Sequence, residues 1–412
     1  FYDRIPKKFK GLKMQKKKIL VLGGGYAGLE CTLRLEKLLR DDEAEVTLIS
    51  KHDYHYQSTL LHRVALGTYS ARKARIFYRK ILKKALFIKD TITKIDINEK
   101  KVNGNIGCYE YDYLVISLGF EPNYFGIEGA NKHTFALATI NWATKMRDEL
   151  EAKFKDFDGR KDPNDLSFVV VGSGFTGVEF ASELGDRAKE LCEICGIPPS
   201  LVKITLVSRG EQILPMFSPA LSAKARTKIT KKGVDIVRGE VIKCESDGVI
   251  IRTDEGDKKI EANTTLWSAG VKGSSIISAS GIESKNDRVL VEPDLRMPGQ
   301  ENVFVLGDCA SAKKRDIIHA PTAQLACQMG AHAAKSLVAL LRGNKTKEFN
   351  FNHKGTVCSI GHTDAVGFAF GVGIAGEVAA FLKNFIENKW LYFIGGLGLV
   401  IKKGQFRFRS SD

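Results

Sequence analysis

The first apolar cluster along the chain is Ile19-Leu20-Val21-Leu22, an unbroken run closed by Gly23. A run of this kind, bounded by glycine, predicts a strand over residues 18–23 buried on both faces, as in a parallel sheet. Helix-spaced apolar positions follow to about Arg40, and residues 46–50 read as the next strand. The same order returns later, with a strand over 166–172, a helix to about Cys192 and a strand over 203–207. Three more strands are expected at 113–118, 264–267 and 303–306, each running into small residues. Strands and helices that alternate in this way predict an α/β fold with parallel sheets. The polar stretch 156–165, with Gly159 and Pro163, reads as the loop entering the second unit.

Both helices open on glycines. Gly23-x-Gly25-x-x-Gly28 and Gly172-x-Gly174-x-x-Gly177 each follow a strand and begin a helix. In G-x-G-x-x-G the first glycine makes a tight turn and the second lets the main chain approach a pyrophosphate. The third lets helix and strand pack closely. Free N–H groups and the dipole at the helix N-terminus then favour phosphate. Two copies imply two dinucleotides. The acid that ordinarily ends the second strand and holds the adenosine ribose is missing from both units. The first unit has Ser50-Lys51 there and the second Ser208-Arg209. Ser50 still offers ribose a hydroxyl. Arg209 suits a 2′-phosphate, hence NADPH, or else stacks on adenine or stays solvated. NADH is the first expectation and NADPH the second.

Charge adds an anionic partner to this picture. The 412 residues carry 63 Lys and Arg against 48 Asp and Glu, a formal net charge of +15. That balance suits a nucleotide, nucleic acid or a membrane surface. A hydrophobic content of 43% allows a sizeable core and excludes general disorder. No apolar run reaches the ~18 residues of a spanning helix. Residues 391–401 come nearest, interrupted by three glycines. The first 18 residues, eight of them basic, lack the apolar core of a secretory signal. Met14 just ahead of the first strand marks residues 1–13 as an expected extension. Eight cysteines are too sparse for a disulfide scaffold and suit a reducing compartment.

The strand at 303–306 runs into Gly307-Asp308. Alone, that acid would read as a helix cap. Beside a dinucleotide turn it can accept a bond from the ribityl chain of FAD. At this point the chain, from about residue 17 to residue 405, resembles the single-subunit, membrane-associated type II NADH:quinone oxidoreductases. The carriers are Val21-Leu-Gly-Gly-Gly-Tyr-Ala-Gly28, Gly172-Ser-Gly-Phe-Thr-Gly-Val-Glu179, Leu266-Trp-Ser-Ala-Gly-Val271 and Gly307-Asp308-Cys309. Most specific is Ala323-Gln324-Leu325-Ala326-Cys327-Gln328, which matches the family's A-Q-x-A-x-Q pattern.

The resemblance implies two Rossmann-like dinucleotide-binding domains of glutathione-reductase-like architecture and a C-terminal membrane-docking segment. Residues 17–127 and 289–350 would bind FAD, 128–288 NAD(P)H and 351–412 the membrane, behind a basic arm at 1–16. FAD would meet Gly23, Gly25, Tyr26, Ala27, Gly28, Ser50, Lys51, Gly307, Asp308 and Ala323. The nicotinamide nucleotide would meet Gly172, Gly174, Phe175, Thr176, Gly177, Glu179, Ser208, Arg209, Ala269 and Gly270. Gln324, Ala326 and Gln328 would meet the quinone. The implied activity is hydride transfer from NADH to FAD and then two electrons to a membrane quinone, without proton pumping. The implied place is the cytoplasmic face of the cell membrane, as a peripheral (monotopic) protein.

Each role has a physical basis and a plainer alternative. Gln324 and Gln328 share a helix face and can hydrogen-bond a quinone carbonyl, but they cannot titrate. Ordinary polar helix positions are the alternative. Glu179 can relay protons if burial raises its pKa, or it is simply an acid favoured by a helix N-terminus. Near the C-terminus Phe381, Phe385, Trp390, Tyr392 and Phe393 alternate with Lys383, Lys389, Lys402, Lys403, Arg407 and Arg409. That mixture suits the lipid headgroup level, with packing on the body or a homodimer contact as alternatives. Residues 71–84 hold seven basic side chains and no acid, a solvated or lipid-facing surface. Cys192-x-x-Cys195 lies at the far end of its helix from the glycine turn and reads as structural. No histidine spacing, His52-x-x-His55 included, suits a metal. A sulfide:quinone oxidoreductase is the second enzyme reading, and it lacks a cysteine pair placed for a flavin. A flavoprotein acting on nucleic acid through its basic face is the reading from another class, and no motif supports it.

Overall fold

In the computed structural model, which describes residues 16–158, 162–314, 317–369 and 371–406, the apolar runs become strands sealed on both faces. Ile19 to Leu22 and Phe168 to Val171 are all buried. The two parallel sheets are built from β1 (Lys17–Leu22), β2 (Ala44–Ser50), β3 (Leu86–Lys89), β4 (Tyr113–Ile116), β5 (Phe135–Ala136), β6 (Ser167–Val171), β7 (Lys203–Ser208), β8 (Val234–Arg238), β9 (Thr264–Trp267) and β10 (Val303–Val305). One sheet runs β10-β4-β1-β2-β3 and the other β5-β9-β6-β7-β8. The strands that carry the glycine turns, β1 and β6, are central. Helices α1 (Tyr26–Leu38) and α2 (Phe175–Cys195) leave those turns.

The units repeat each other. Counted from the strand that carries the glycine turn, a three-stranded antiparallel insertion separates the third strand from the fourth in each unit, at residues 92–110 and 240–261. The chain leaves the first sheet after β4, builds the second, and returns to the first with β10. Helix α3 (Ala323–Leu341) then lies against α1. A Cβ at Gly330 would stand 2.3 Å from the Ala27 carbonyl oxygen, so only glycine admits this approach. A small antiparallel sheet spans 355–375, and helix α4 (Glu377–Lys403) follows, broken at Gly396 (φ 69°). Leu391 and Ile394 of α4 join the core of the first unit. The expected N-terminal extension, Gly159, Arg407 and Arg409 lie outside the described residues.

Candidate functional site

The two turns are built alike. Gly23 (φ 92°) and Gly172 (φ 104°) adopt the left-handed region that favours glycine. A Cβ at Gly28 would stand 2.0 Å from the Gly23 carbonyl oxygen, and one at Gly177 would stand 1.8 Å from that of Gly172. The middle glycines differ from these. At Gly25 and Gly174 a Cβ would meet nothing within 4 Å, so open space faces the start of each helix. Neither helix has a side-chain cap on its first N–H groups. Unclaimed donors beside open space are what a pyrophosphate needs.

Surroundings distinguish the two turns. The Gly24 carbonyl accepts bonds from Tyr78 Oη (2.8 Å) and His55 Nδ1 (3.0 Å). His55 Nε2 in turn accepts from Trp390 Nε1 of α4 at 2.9 Å. Burial pushes the His55 pKa down to about 4, against the pull of the Gly24 bond. Neutral His55 is therefore a fixed tautomer that ties α4 to the first turn. Ser50 is half-buried and Lys51 exposed at the end of β2. In the second unit Ser208 is buried, bonded to Ser173 Oγ at 2.7 Å and donating to the Gly210 carbonyl at 2.7 Å. Arg209 and Thr176 are exposed. Phe175 packs edge-on against Phe217. Ala269 backs Gly172, and Gly270 faces the Phe125 ring.

Asp308 stands in a short helical turn at Gly307–Cys309, after β10. Burial raises its pKa, and the Arg288 charge only partly opposes that. Among the described residues no protein donor hydrogen-bonds its carboxylate, which leaves an acceptor for a ligand hydroxyl. Gly307 sits close to Ala27 and Ala326, so this turn, α1 and the start of α3 meet. Ala323 is the first residue of α3, capped by Thr322.

Gln324 and Gln328 do share one face, and their amides are engaged by main chain. Gln324 donates to the Gly355 carbonyl (3.2 Å) and accepts from Lys354 N (2.9 Å). Gln328 pairs both ways with Asn352 at 2.9 Å. The two side chains thus pin the segment 352–355 to α3.

Glu179 enters a buried charge cluster. Its Oε1 accepts from Ser359 N and Ser359 Oγ, both at 3.0 Å, and lies 3.1 Å from Lys383 Nζ. His62 Nδ1 is 3.8 Å from its Oε2. Burial alone would raise the carboxyl. Lys383, His62 and the Ser359 N–H outweigh that and hold it below the usual range. The upward push of burial on Glu179 is thus offset by its partners. Glu387 is the raised carboxyl, driven by burial and opposed in part by Lys383 and Thr59. Its Oε2 accepts from Gln57 Nε2 (2.7 Å) and Thr59 Oγ1 (2.9 Å). Thr59 Oγ1 is 3.1 Å from the Tyr26 hydroxyl, on the first residue of α1. Burial opposes charge on Lys383, yet Glu179 and Glu387 raise its pKa on balance. One line of contacts thus joins the first turns of α1 and α2 through Lys383 and Glu387 of α4.

Sequence reasoning placed Lys383 among lipid-facing cations, and the structure corrects this, because Lys383 and Glu387 occupy the inner face of α4. Trp390 is likewise tied inward to His55, and Phe393 lies under Arg34 and Lys37. The exposed large apolar residues of α4 and the segment after it are Val378, Phe381, Phe385, Ile386, Tyr392, Leu397, Ile401 and Phe406, with Lys389 and Lys402 exposed among them. Glu387, His62 and Thr59 were missed by the sequence reading, and Lys383 and His55 were named there in other roles. Lys383 and Glu387 did leave a signal, opposite charges four apart within a mostly apolar helix.

The Pyridine nucleotide-disulphide oxidoreductase family matches residues 17–328. The Type II NADH:quinone oxidoreductases of Staphylococcus saprophyticus and Staphylococcus aureus are each 40% identical to the chain over 404 residues, 96% of it and 100% of theirs. NDH2 from Plasmodium falciparum in complex with NADH has a similar structure, with a TM-score of 0.85 at 20% identity over 94% of this chain and 98% of that one. The sulfide:quinone oxidoreductase from Aquifex aeolicus gives 0.78 at 21% identity, over 92% and 91%.

Proposed function

Because the chain belongs to the type II NADH:quinone oxidoreductases, we propose that its two glycine turns and the Glu179-Lys383-Glu387 cluster form one catalytic centre. The chain is an FAD-dependent oxidoreductase that takes hydride from NADH and passes two electrons to a quinone. Bound FAD supplies the two-electron relay between those substrates. The single observation that carries the reading is the open space at Gly25 and Gly174, each at the uncapped start of a helix behind a parallel strand.

The residues fit their expected ligands. Gly23, Gly25, Tyr26, Ala27 and Gly28 would hold the FAD pyrophosphate, with Ser50 and Lys51 toward adenosine. Gly307, Asp308 and Ala323 would serve the ribityl and ring end. Gly172, Gly174, Phe175, Thr176, Gly177, Arg209, Ala269 and Gly270 would hold the dinucleotide substrate, with Ser208 bracing the strand end beside it. Gln324 and Gln328 would shape the quinone site by fixing the segment 352–355, with Ala326 beside Gly307 at its edge.

Quinone reduction consumes two protons. Glu179 and Glu387 flank Lys383 in the cluster that would handle these protons, and Lys383, His62 and Ser359 favour the charged form of Glu179. The Oε2 of Glu387 is occupied by Gln57 and Thr59, which leaves Oε1, on the Lys383 side, to carry a proton.

Docking on lipid follows from α4. Among the described residues no helix is long and apolar enough to cross a membrane. Lys403 Nζ donates to the carbonyls of Lys73 (2.8 Å) and Arg75 (2.7 Å), which joins the end of α4 to the basic stretch 71–84. Arg72, Lys73, Arg79, Lys80, Lys83 and Lys84 are exposed there. Exposed apolar residues beside a basic rim suit an anionic lipid surface, here the cytoplasmic face where NADH is available. A homodimer through the same apolar face is the competing use.

The test is anaerobic. NADH added to the purified flavoprotein is expected to bleach the flavin absorbance rapidly, and a quinone added afterwards to restore it. Bleaching that no quinone reverses would overturn the reading.

A further inference from the structure

The end of β7 carries an unclaimed cation where the adenosine ribose of a dinucleotide arrives. The Ser173–Ser208 hydroxyl contact sets that strand end beside the second glycine turn. Ligand phosphates at Gly174 therefore place their adenosine half over Ser208 and Arg209. A carboxylate in that place would bind the ribose 2′- and 3′-hydroxyls and repel a 2′-phosphate. The chain has none. Ser208 is buried and commits its hydroxyl to Ser173 and Gly210, so it does not project toward the ribose. Arg209 is exposed, and among the described residues no hydrogen bond or ion pair reaches it.

The rim around it is basic. Arg238, the last residue of β8, lies in register with Ser208. It faces Glu211 and Asp254, each at 3.4 Å and both exposed. Arg226 donates to the Glu211 carbonyl at 2.7 Å. Three guanidinium groups thus stand against two exposed carboxylates: Arg238 faces both, Arg226 holds a main-chain carbonyl, and Arg209 has neither kind of partner among the described residues. A planar guanidinium grips phosphate with paired, charge-assisted bonds.

We propose that the second unit accepts the 2′-phosphorylated dinucleotide NADPH at least as well as NADH, with Arg209 as the 2′-phosphate ligand. This rests on the reading of that unit as the nicotinamide site. Arg209 then sets specificity and takes no part in hydride transfer.

Two measurements on the purified holoenzyme test it. The first needs no turnover: calorimetric binding of adenosine 2′,5′-bisphosphate against 5′-AMP. The bisphosphate is expected to bind at least about tenfold tighter, an advantage lost in Arg209→Ala and reversed in Arg209→Glu. The second compares NADPH with NADH as reductants of the flavin under anaerobic conditions. NADPH is expected to match or exceed NADH in kcat/KM. In Arg209→Glu the loss should fall at least about tenfold more heavily on NADPH. A wild-type preference of tenfold or more for NADH overturns the inference and leaves the dehydrogenase intact. Equal losses on both substrates in Arg209→Glu also overturn it, since Arg209 would then be a general adenine contact. Bleaching by neither dinucleotide overturns the underlying reading of the second unit as well.

Discussion

The two glycine turns share their main-chain devices and differ in what closes over them. The first is locked from three sides. Tyr78 and His55 bond the Gly24 carbonyl, Trp390 of α4 holds His55, and α3 presses its Gly330 against Ala27 of α1. The second has a serine pair and exposed ends at Thr176 and Arg209. On the proposed reading one motif serves two kinds of ligand, the motif binding phosphate and the packing around it setting retention. A resident cofactor suits the first turn, and an exchanging substrate suits the second.

Filling the open space in each turn is the strongest way to separate them. Gly25 and Gly174 have φ of −69° and −76°, so a side chain suits the backbone at either position. Gly25→Val is expected to fold yet purify without flavin and lose all quinone reduction. Gly174→Val should retain its flavin while kcat/KM for NADH falls by at least about 100-fold, as two lost charge-assisted bonds would give. Flavin-to-protein absorbance ratios and steady-state kinetics check both. Flavin loss in Gly174→Val would break the assignment of the two units.

The charge cluster sets the next test, because it joins the units. Lys383→Met leaves Glu179 and Glu387 buried together without their cation. Unfolding stability should fall by roughly 3–5 kcal/mol, measured by denaturant melts. Glu387→Gln mimics the protonated carboxyl and should keep stability within about 1 kcal/mol. Its quinone-dependent reoxidation should slow by about 100-fold, with hydride transfer from NADH retained, as for a lost proton donor. A Glu387→Gln enzyme that turns over quinone normally would assign the cluster to structure alone.

These residues also mark where sequence reading stops. Strands β1 and β6 and the glycine turns are local features, since an apolar run and a fixed glycine spacing hold their meaning without knowledge of the fold. Asp308 was legible for the same reason, as an acid at a strand end. The cluster depends on pairing between residues far apart, Gln57 with Glu387 and Glu179 with Ser359. Helix α4 adds an inversion. Its apolar Phe381 and Phe385 face outward, while Lys383 and Glu387 face the core. A reading that assigns cations to the surface must misplace Lys383. The glutamines show a related limit, because spacing puts them on one face but cannot reveal that segment 352–355 occupies it.

Acid should expose the lock on the first turn. The His55 pKa is depressed to about 4, whereas an unfolded histidine titrates near 6.5. As pH falls through that window the unfolded chain takes up a proton that the folded one excludes, so stability is full above about pH 6.5 and declines toward pH 4. The loss from this group should reach about 3 kcal/mol. Chemically, a proton on Nε2 turns the acceptor for Trp390 into a second donor. Flavin release followed by fluorescence between pH 6.5 and 4 should track the melt. In Trp390→Phe, which leaves Nε2 buried without a donor, release should begin at higher pH.

The smallest effect separates the units by the surface each shows to lipid. Residues 76–81 and the second half of α4 pack on the core of the first unit, so lipid is expected to contact that unit and leave the antiparallel insertion of the second facing water. Each surface cation near anionic lipid contributes about 1 kcal/mol, roughly fivefold in binding. Lys80→Gln is therefore expected to weaken cosedimentation with phosphatidylserine vesicles about fivefold at low salt and much less at high salt, where screening removes the attraction. Lys258→Gln, exposed on the antiparallel insertion of the second unit, should leave it unchanged. Equal effects from the two would mean that net charge, and not the face bearing α4, governs adsorption, and the lipid-facing assignment of the first unit would fall with it.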